Sequence, residues 1–334
     1  MKTSALTLDG MSNAVATSLS ICNWSNEIML VSGLSVVKNG IRLGYPFLES
    51  IRSAISICDE FVVVVDPGED DSLAVLRELQ SNEPKLKIIE TQWSRKVTPQ
   101  KCVLAQQTNL GLHQCQGDWV LYLQANEVLR NDDLEHLKSL MVKHKDDQQV
   151  EAMLFERLTF WADYNHVLKV YPDRYIYTAR IVRPHIGTQS IRDAMSFAVF
   201  DNWSTRGRYP RAIDTGVNVY RYGKVLSPAV MKRKQSEAVH ESIRDSDKEF
   251  FYDEVPGQYV VEFRGEHPRV MQALVENTPN TYDSNAVGVR RTLTWRERTR
   301  LMETAIYRRF GVPHWRRTRH KLVGNYVDKD RDEY

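Results

Sequence analysis

The sequence is poor in the features that would fix its class at once. Its 334 residues include only four cysteines, Cys22, Cys58, Cys102 and Cys115. These form no C-x-x-C pair and no metal-ligand spacing, which argues against a disulfide scaffold or a zinc module and favours reduced thiols in a cytosol-like compartment. No apolar run approaches the roughly 20 residues that cross a bilayer. Met1 to Asn26 lacks the charged start and apolar middle of a secretory signal, and reads as a Ser/Thr/Asn-rich arm. Net charge is only +2, so no global field demands nucleic acid. The nine histidines show no H-x-x-x-H arrangement, Cys-with-His nucleophile chemistry has no supporting pattern, and no internal repeat is present. At 42% hydrophobic and 26% charged, the chain can still bury a large core.

What is present is an alternation. Met29 to Val37 is the first strong strand, ended by Lys38, Asn39 and Gly40 as a turn. Phe47, Leu48, Ile51, Ile55 and Cys58 recur at helical spacing as a core-facing stripe. Phe61 to Val65 is a second buried strand. The polar loop Asp66 to Ser72 follows it and can cap a helix carrying Leu73, Leu76 and Leu79. Leu86 to Glu90 is a third, weaker strand, and Leu104, Thr108, Leu112 and Cys115 mark the next helix. Trp119 to Leu123 then forms a short apolar run between turn residues, as a strand buried on both faces does. Asn131, with Asp132 and Asp133 in the first turn, starts a helix bearing Leu134, Leu137 and Leu140. Strand and helix alternate four times, so a parallel sheet with right-handed crossovers is expected.

After about Glu151 the pattern loosens. Met153 to Phe160, Tyr177 to Val182 and Gly216 to Tyr222 read as strands separated by long polar segments. From about Ala229 helices return, with Val270 and Leu274 on a short one and Trp295, Met302, Ile306 and Phe310 as the stripe of another. Arg290 to Lys321 holds eleven Lys/Arg against Glu297 and Glu303. That run is either a solvated helix face or a contact for an anionic membrane surface. It lacks a nucleic-acid reading motif. The divisions expected are an arm at 1–27, an α/β half at 28–158, a looser β half of the same domain at 159–228, and a helical basic extension at 229–334.

In open α/β sheets the carboxyl ends of the central strands face the ligand crevice, which puts Gln124, Ala125, Asn126 and Glu127 where chemistry would sit. Asp66 and Asp70 belong to the same edge. A carboxylate there can accept hydrogen bonds from a base or ribose, as in dinucleotide folds. Alternatively the loop serves only to cap the next helix, through Asp71 or Ser72. Phe160 to Tyr164, with Trp161, Asp163 and Tyr164, and further on Tyr222, offer either an aromatic surface for sugar rings or core.

Gly117 to Glu127, reading GDWVLYLQANE, resembles the segment of glycosyltransferase family 2 in which a strand ends in an acidic Asp-X-Asp or Gln-Ala-Asp-Glu motif. The resemblance runs from about Val31 to His267, and it implies that 28–158 is the nucleotide-sugar-binding half and 159–228 the acceptor-side half of one domain. It implies a GT-A fold: a Rossmann-like, mostly parallel α/β sheet flanked by helices, here with a C-terminal β and helical elaboration. It further implies transfer of a sugar from a nucleotide donor, UDP- or GDP-linked, to a hydroxyl of a glycan, lipid-linked or small-molecule acceptor, with inversion, in the cytoplasm or at the inner membrane face.

By the same resemblance Asp66, Asp70, Gln124 and Asn126 bind the donor, and Asn126 and Glu127 hold Mn²⁺ or Mg²⁺. Trp161, Asp163 and Tyr164 meet the acceptor. Asp193, in the Arg192-Asp193-Ala194 segment, is the expected base, with Asp163 and Glu241 as rivals and an ion pair to Arg192 or Arg180 as its structural alternative. Gly265 to Pro268 also has a counterpart in the family, opening a short helix.

Two positions depart from the pattern. Asn126 replaces an Asp, which weakens a site for a hard cation. Arg221, opening Arg221 to Val225, replaces a His. An arginine cannot ligate a metal but can pair with phosphate oxygens. Arg221 and Lys224 are therefore expected to supply part of the charge a metal would, making turnover weakly metal-dependent. The other reading of these departures is an inactive relative that binds a nucleotide sugar or a protein partner.

Overall fold

The computed structural model describes residues 29–93, 102–169, 177–201, 206–236, 252, 255–278, 290–310 and 320–323. The N-terminal arm and Glu241 lie outside them. A nine-stranded sheet forms the body. Its first three strands, β1 (Val31–Lys38), β2 (Glu60–Asp66) and β3 (Leu86–Glu90), are parallel and joined through α1 (Phe47–Ala54) and α2 (Ser72–Asn82). After α3 (Val103–Leu112) the chain crosses to the other side of β1 and adds β4 (Trp119–Tyr122), again parallel. This reversal of direction creates a switch point between β1 and β4, where an open sheet leaves a crevice at its carboxyl edge.

The register explains the burial. All of β2 and β4 and nearly all of β1 are buried, as the uninterrupted apolar runs require for strands covered on both faces. Val63, Val65, Trp119 and Leu121 pack into one layer with α1 and α4 (Leu134–Lys143). Leu34, Val62, Val64, Val120 and Tyr122 pack into the other, with residues of α3.

Beyond β4 the sheet turns mixed. Strand β8 (Tyr177–Val182) runs antiparallel to both β4 and β6 (Ala152–Thr159), and β11 (Arg211–Arg221) lies parallel to β6. Strand β11 starts five residues earlier than Gly216, because Gly216 with φ +67 sits in an irregularity between Asp214 and Asn218. Six short strands were not legible in the sequence, and three of them shape the site edge. They are β5 (Glu127–Val128), which pairs antiparallel with the end of β11, and the hairpin of β9 (Thr188–Ile191) and β10 (Ser196–Val199). The remaining short strands are β7 (His166–Leu168), β12 (Val260–Glu262) and β13 (Lys321–Leu322). Helices α5 (Pro228–Ser236), α6 (Gln272–Asn277) and α7 (Trp295–Phe310) complete the described chain. No described helix is long and apolar enough to cross a membrane.

Candidate functional site at the carboxyl edge of the sheet

Two acidic residues end up at this edge because β2 delivers them there. Asp66, the last residue of β2, pairs with Lys38, the last of β1, at 2.6 Å. Its two oxygens also accept the amides of Gly68 and Trp93, both at 2.9 Å. Burial alone would raise its pKa, but the Lys38 ammonium and the two amides together hold it below the usual carboxylate range. Gly68 adopts φ +62, and a Cβ there would meet Asn39 Oδ1 at 2.1 Å, so this turn admits only glycine. Asp70 accepts the amide of Arg42 at 2.7 Å and that of Ser72 at 3.0 Å. Asp70, rather than Asp71 or Ser72, is thus the acceptor at the start of α2. The Ser72 hydroxyl instead accepts from the Ile41 amide.

The tetrapeptide after β4 is pinned from three sides. The Leu123 amide donates to Leu34 O, Tyr222 N donates to Asn126 O, and Glu127 pairs in register with Arg221. The two-residue β5 therefore fastens the Gln124–Glu127 turn to the end of β11 and brings the two sequence departures, Asn126 and Arg221, together. Gly223 makes the approach possible, since a Cβ on it would fall 2.3 Å from Asn126 Nδ2. Asn126 is buried, and its Oδ1 has no partner among the described residues. Gln124 reaches toward Ala194 O, at 3.5 Å, so the β9–β10 turn closes the same edge. In that turn Asp193 lies between Arg192 and Ala194, two non-glycine residues at φ 60 and 57. Left-handed backbone at such residues is strained and clusters at functional sites.

Glu127 is not free to ligate a metal, contrary to the expectation from the motif. It has no exposed surface and forms a two-pronged pair with fully buried Arg180, Nε to Oε2 at 2.6 Å and Nη2 to Oε1 at 2.7 Å. Its Oε2 also accepts the Gln124 amide at 3.1 Å. Burial would raise its pKa, yet the Arg180 charge overrides this and keeps it ionised. Among the described residues no three His, Cys, Asp or Glu side chains gather to hold a metal ion. The motif itself thus offers one neutral amide oxygen and one carboxylate already neutralised by a guanidinium, a pair that does not fit Mn²⁺ or Mg²⁺, which require several oxygen ligands.

Positive charge is supplied by side chains instead. The charge of Arg221 acts on Glu127, and the charges of Arg221 and Lys224 both act on Lys234. Lys234, on α5, comes up to the same loop and donates to Gly223 O at 2.8 Å, with its ammonium 4.7 Å from the centre of the Tyr45 ring. Its pKa is well below the ordinary lysine value, first from burial and then from the neighbouring charges of Lys224 and Arg221. Sequence reasoning missed Lys234. Its one signal was the Lys232-Arg233-Lys234 run, which periodicity could not aim at the site.

The aromatic run expected to meet an acceptor is turned inward. Trp161 is buried, and its indole donates to Tyr252 O at 3.1 Å. Buried Asp163 grips His166 at 2.8 Å. Tyr164 packs against Tyr222 and His267. His267 Nε2 meets the Tyr164 carbonyl at 3.0 Å, so Nε2 carries the proton and Nδ1 accepts from the Tyr222 hydroxyl at 2.9 Å. Burial holds His267 below its ordinary pKa. The reason for the inward turn is the packing of Tyr252, Phe263 and Met271 around the end of β6 and the residues that follow it. Trp161 and Asp163 therefore present no open surface.

An acidic loop, a polar turn and a cation cluster along the switch-point edge of an α/β sheet define a site suited to an anionic, hydroxyl-rich ligand. Residues 45–202 match the model of Glycosyl transferase family 2. No curated protein matches. Among solved structures, S. aureus TarS 1–349 shares 16% identity over 65% of this chain and 70% of its own, with a TM-score of 0.36. The same TarS fragment in complex with UDP-GlcNAc shares 16% over 64% and 68%, at 0.36. GalNAc-T7 with UDP, GalNAc and Mn²⁺ shares 14% over 47% of this chain and 26% of its own, at 0.30. Likenesses this distant carry no weight for substrate or mechanism.

Proposed function

We propose that the protein transfers a sugar from a nucleotide-sugar donor to a hydroxyl with inversion, and that its own cations, in place of a bound metal, meet the diphosphate. The observation that carries this reading is the convergence of Arg221, Lys224 and Lys234 beside a Glu127 already neutralised by Arg180. Asp66 and Asp70 are assigned to the base and ribose of the donor, with Gln124 and Asn126 along its diphosphate. In the transfer step Asp193 takes the proton of the acceptor hydroxyl, whose oxygen bonds to the anomeric carbon. The anomeric C–O bond to phosphate breaks, and the nucleoside diphosphate leaves with the electron pair toward the cations. Preorganised charge at the leaving group acts in the transition state, where it lowers the barrier most.

A panel of UDP, GDP, CMP and dTDP sugars, offered with candidate glycan acceptors, tests the assignment through nucleotide release. Asp193→Asn is expected to lower kcat by about 10²–10⁴ with donor affinity unchanged. Equal turnover in this variant would remove Asp193 from the role of base. Binding without release by the unmodified protein would favour the second reading, that of a non-catalytic nucleotide-sugar binder, to which the occupied Glu127 also lends support.

A further inference from the structure

Helix α7 carries its apolar stripe outward. Trp295, Met302, Ile306 and Phe310 are 77%, 64%, 51% and 81% exposed. Their spacing of seven, four and four places them within an arc of roughly 80° at 100° per residue. Exposed Arg298 and Arg309 border one side of the arc; on the other side half-buried Glu303 comes first and exposed Arg296 beyond it, so that three arginines flank the stripe against one acid.

The helix is fixed at its start and closed by reciprocal caps. Thr294 N donates to Glu297 Oε2 at 2.8 Å, and Glu297 N to Thr294 Oγ1 at 3.3 Å. Tyr259 donates its hydroxyl to Glu297 O at 2.9 Å, and Gln258 Nε2 donates to Arg291 O at 2.8 Å. The polar side is thus tied to the body, and no described residue covers the apolar one.

We infer that α7 is an interfacial helix that lays Trp295, Met302, Ile306 and Phe310 into the headgroup region of an anionic phospholipid surface, with its arginines on the lipid phosphates. The charge pattern selects this occupant. An antiparallel second copy docking by the same face would bring the Arg298–Arg309 border against itself, and a parallel one would set those two arginines against the single Glu303, whereas an anionic bilayer offers apolar depth and negative charge for all three arginines together. The helix is too short and too charged to span. This assignment is independent of the sugar-nucleotide reading and would hold for an inactive relative.

Co-sedimentation of the full chain with vesicles of phosphatidylcholine, alone and mixed with phosphatidylglycerol, tests it. Binding is expected only to the mixed vesicles. The pair Trp295→Ser and Phe310→Ser should weaken it at least about tenfold through lost apolar burial. The pair Arg298→Gln and Arg309→Gln should weaken it by about fivefold per charge. Because all four side chains are exposed, thermal stability should stay unchanged in both variants. Failure of the unmodified protein to sediment, or equal sedimentation of the variants, would overturn the assignment. So would a concentration-dependent dimer in sedimentation velocity that Trp295→Ser abolishes, since that would give the face to a second copy.

Discussion

Glu127 and Arg180 form a pair with no exposed surface, so each depends on the other to remain charged inside the protein. Removing one partner strands the other. Glu127→Ala or Arg180→Met is expected to cost about 3–5 kcal/mol in urea denaturation, while replacing both with apolar residues of similar volume should recover most of the loss. A single variant as stable as the parent would show that the pair does not hold the turn. Lys234 supplies the pH dependence. Its depressed pKa means that it sheds its proton at lower pH than an ordinary lysine, and a bound diphosphate would raise that pKa again. Between the two values donor binding must take up a proton, so affinity should fall as pH rises through this window and stay flat below it. Calorimetry in buffers of different ionisation heat reads this directly. In Lys234→Met both the proton uptake and the slope should vanish; a slope that persists would assign it to another group.

At the scale of elements, the site exists because β5, only two residues long, ties the turn after β4 to the end of β11. No periodicity signals a strand that short, which is why the sequence placed Gln124–Glu127 at the edge but could not bring Arg221 beside Asn126 without the family resemblance. The long strands were legible because burial on both faces writes an uninterrupted apolar run, as in Phe61 to Val65. The hairpin holding Asp193 was not, since its turn uses left-handed Arg192 and Ala194 where glycine would have announced it. Trp161 misled for a different reason: an aromatic at the end of a strand looks the same whether it faces a sugar or, as here, Tyr252. The pinched contact at Gly223 gives a test. Gly223→Ala pushes a methyl group against Asn126 and should weaken donor binding about tenfold, on the order of 1.4 kcal/mol, with little change in melting temperature. Undiminished affinity would place Asn126 outside the donor site.

In the molecule as a whole, two halves differ in legibility. The parallel half, β1 to β4, follows from patterning and the switch-point rule, with the site edge fixed by strand order alone. The later half depends on Arg180, Arg221 and Lys234, which come together only through tertiary packing of β8, β11 and α5. The Arg180 guanidinium on Glu127 and the three basic residues about Gly223 form one arrangement. Calorimetric titration of the sugar-nucleotide panel in the presence of a chelator, on the unmodified protein and on Arg221→Ala, tests it most directly. The account expects at least one donor to bind without metal and to lose about tenfold or more in affinity in Arg221→Ala; binding that appears only when Mn²⁺ is restored, and is indifferent to Arg221, would contradict it.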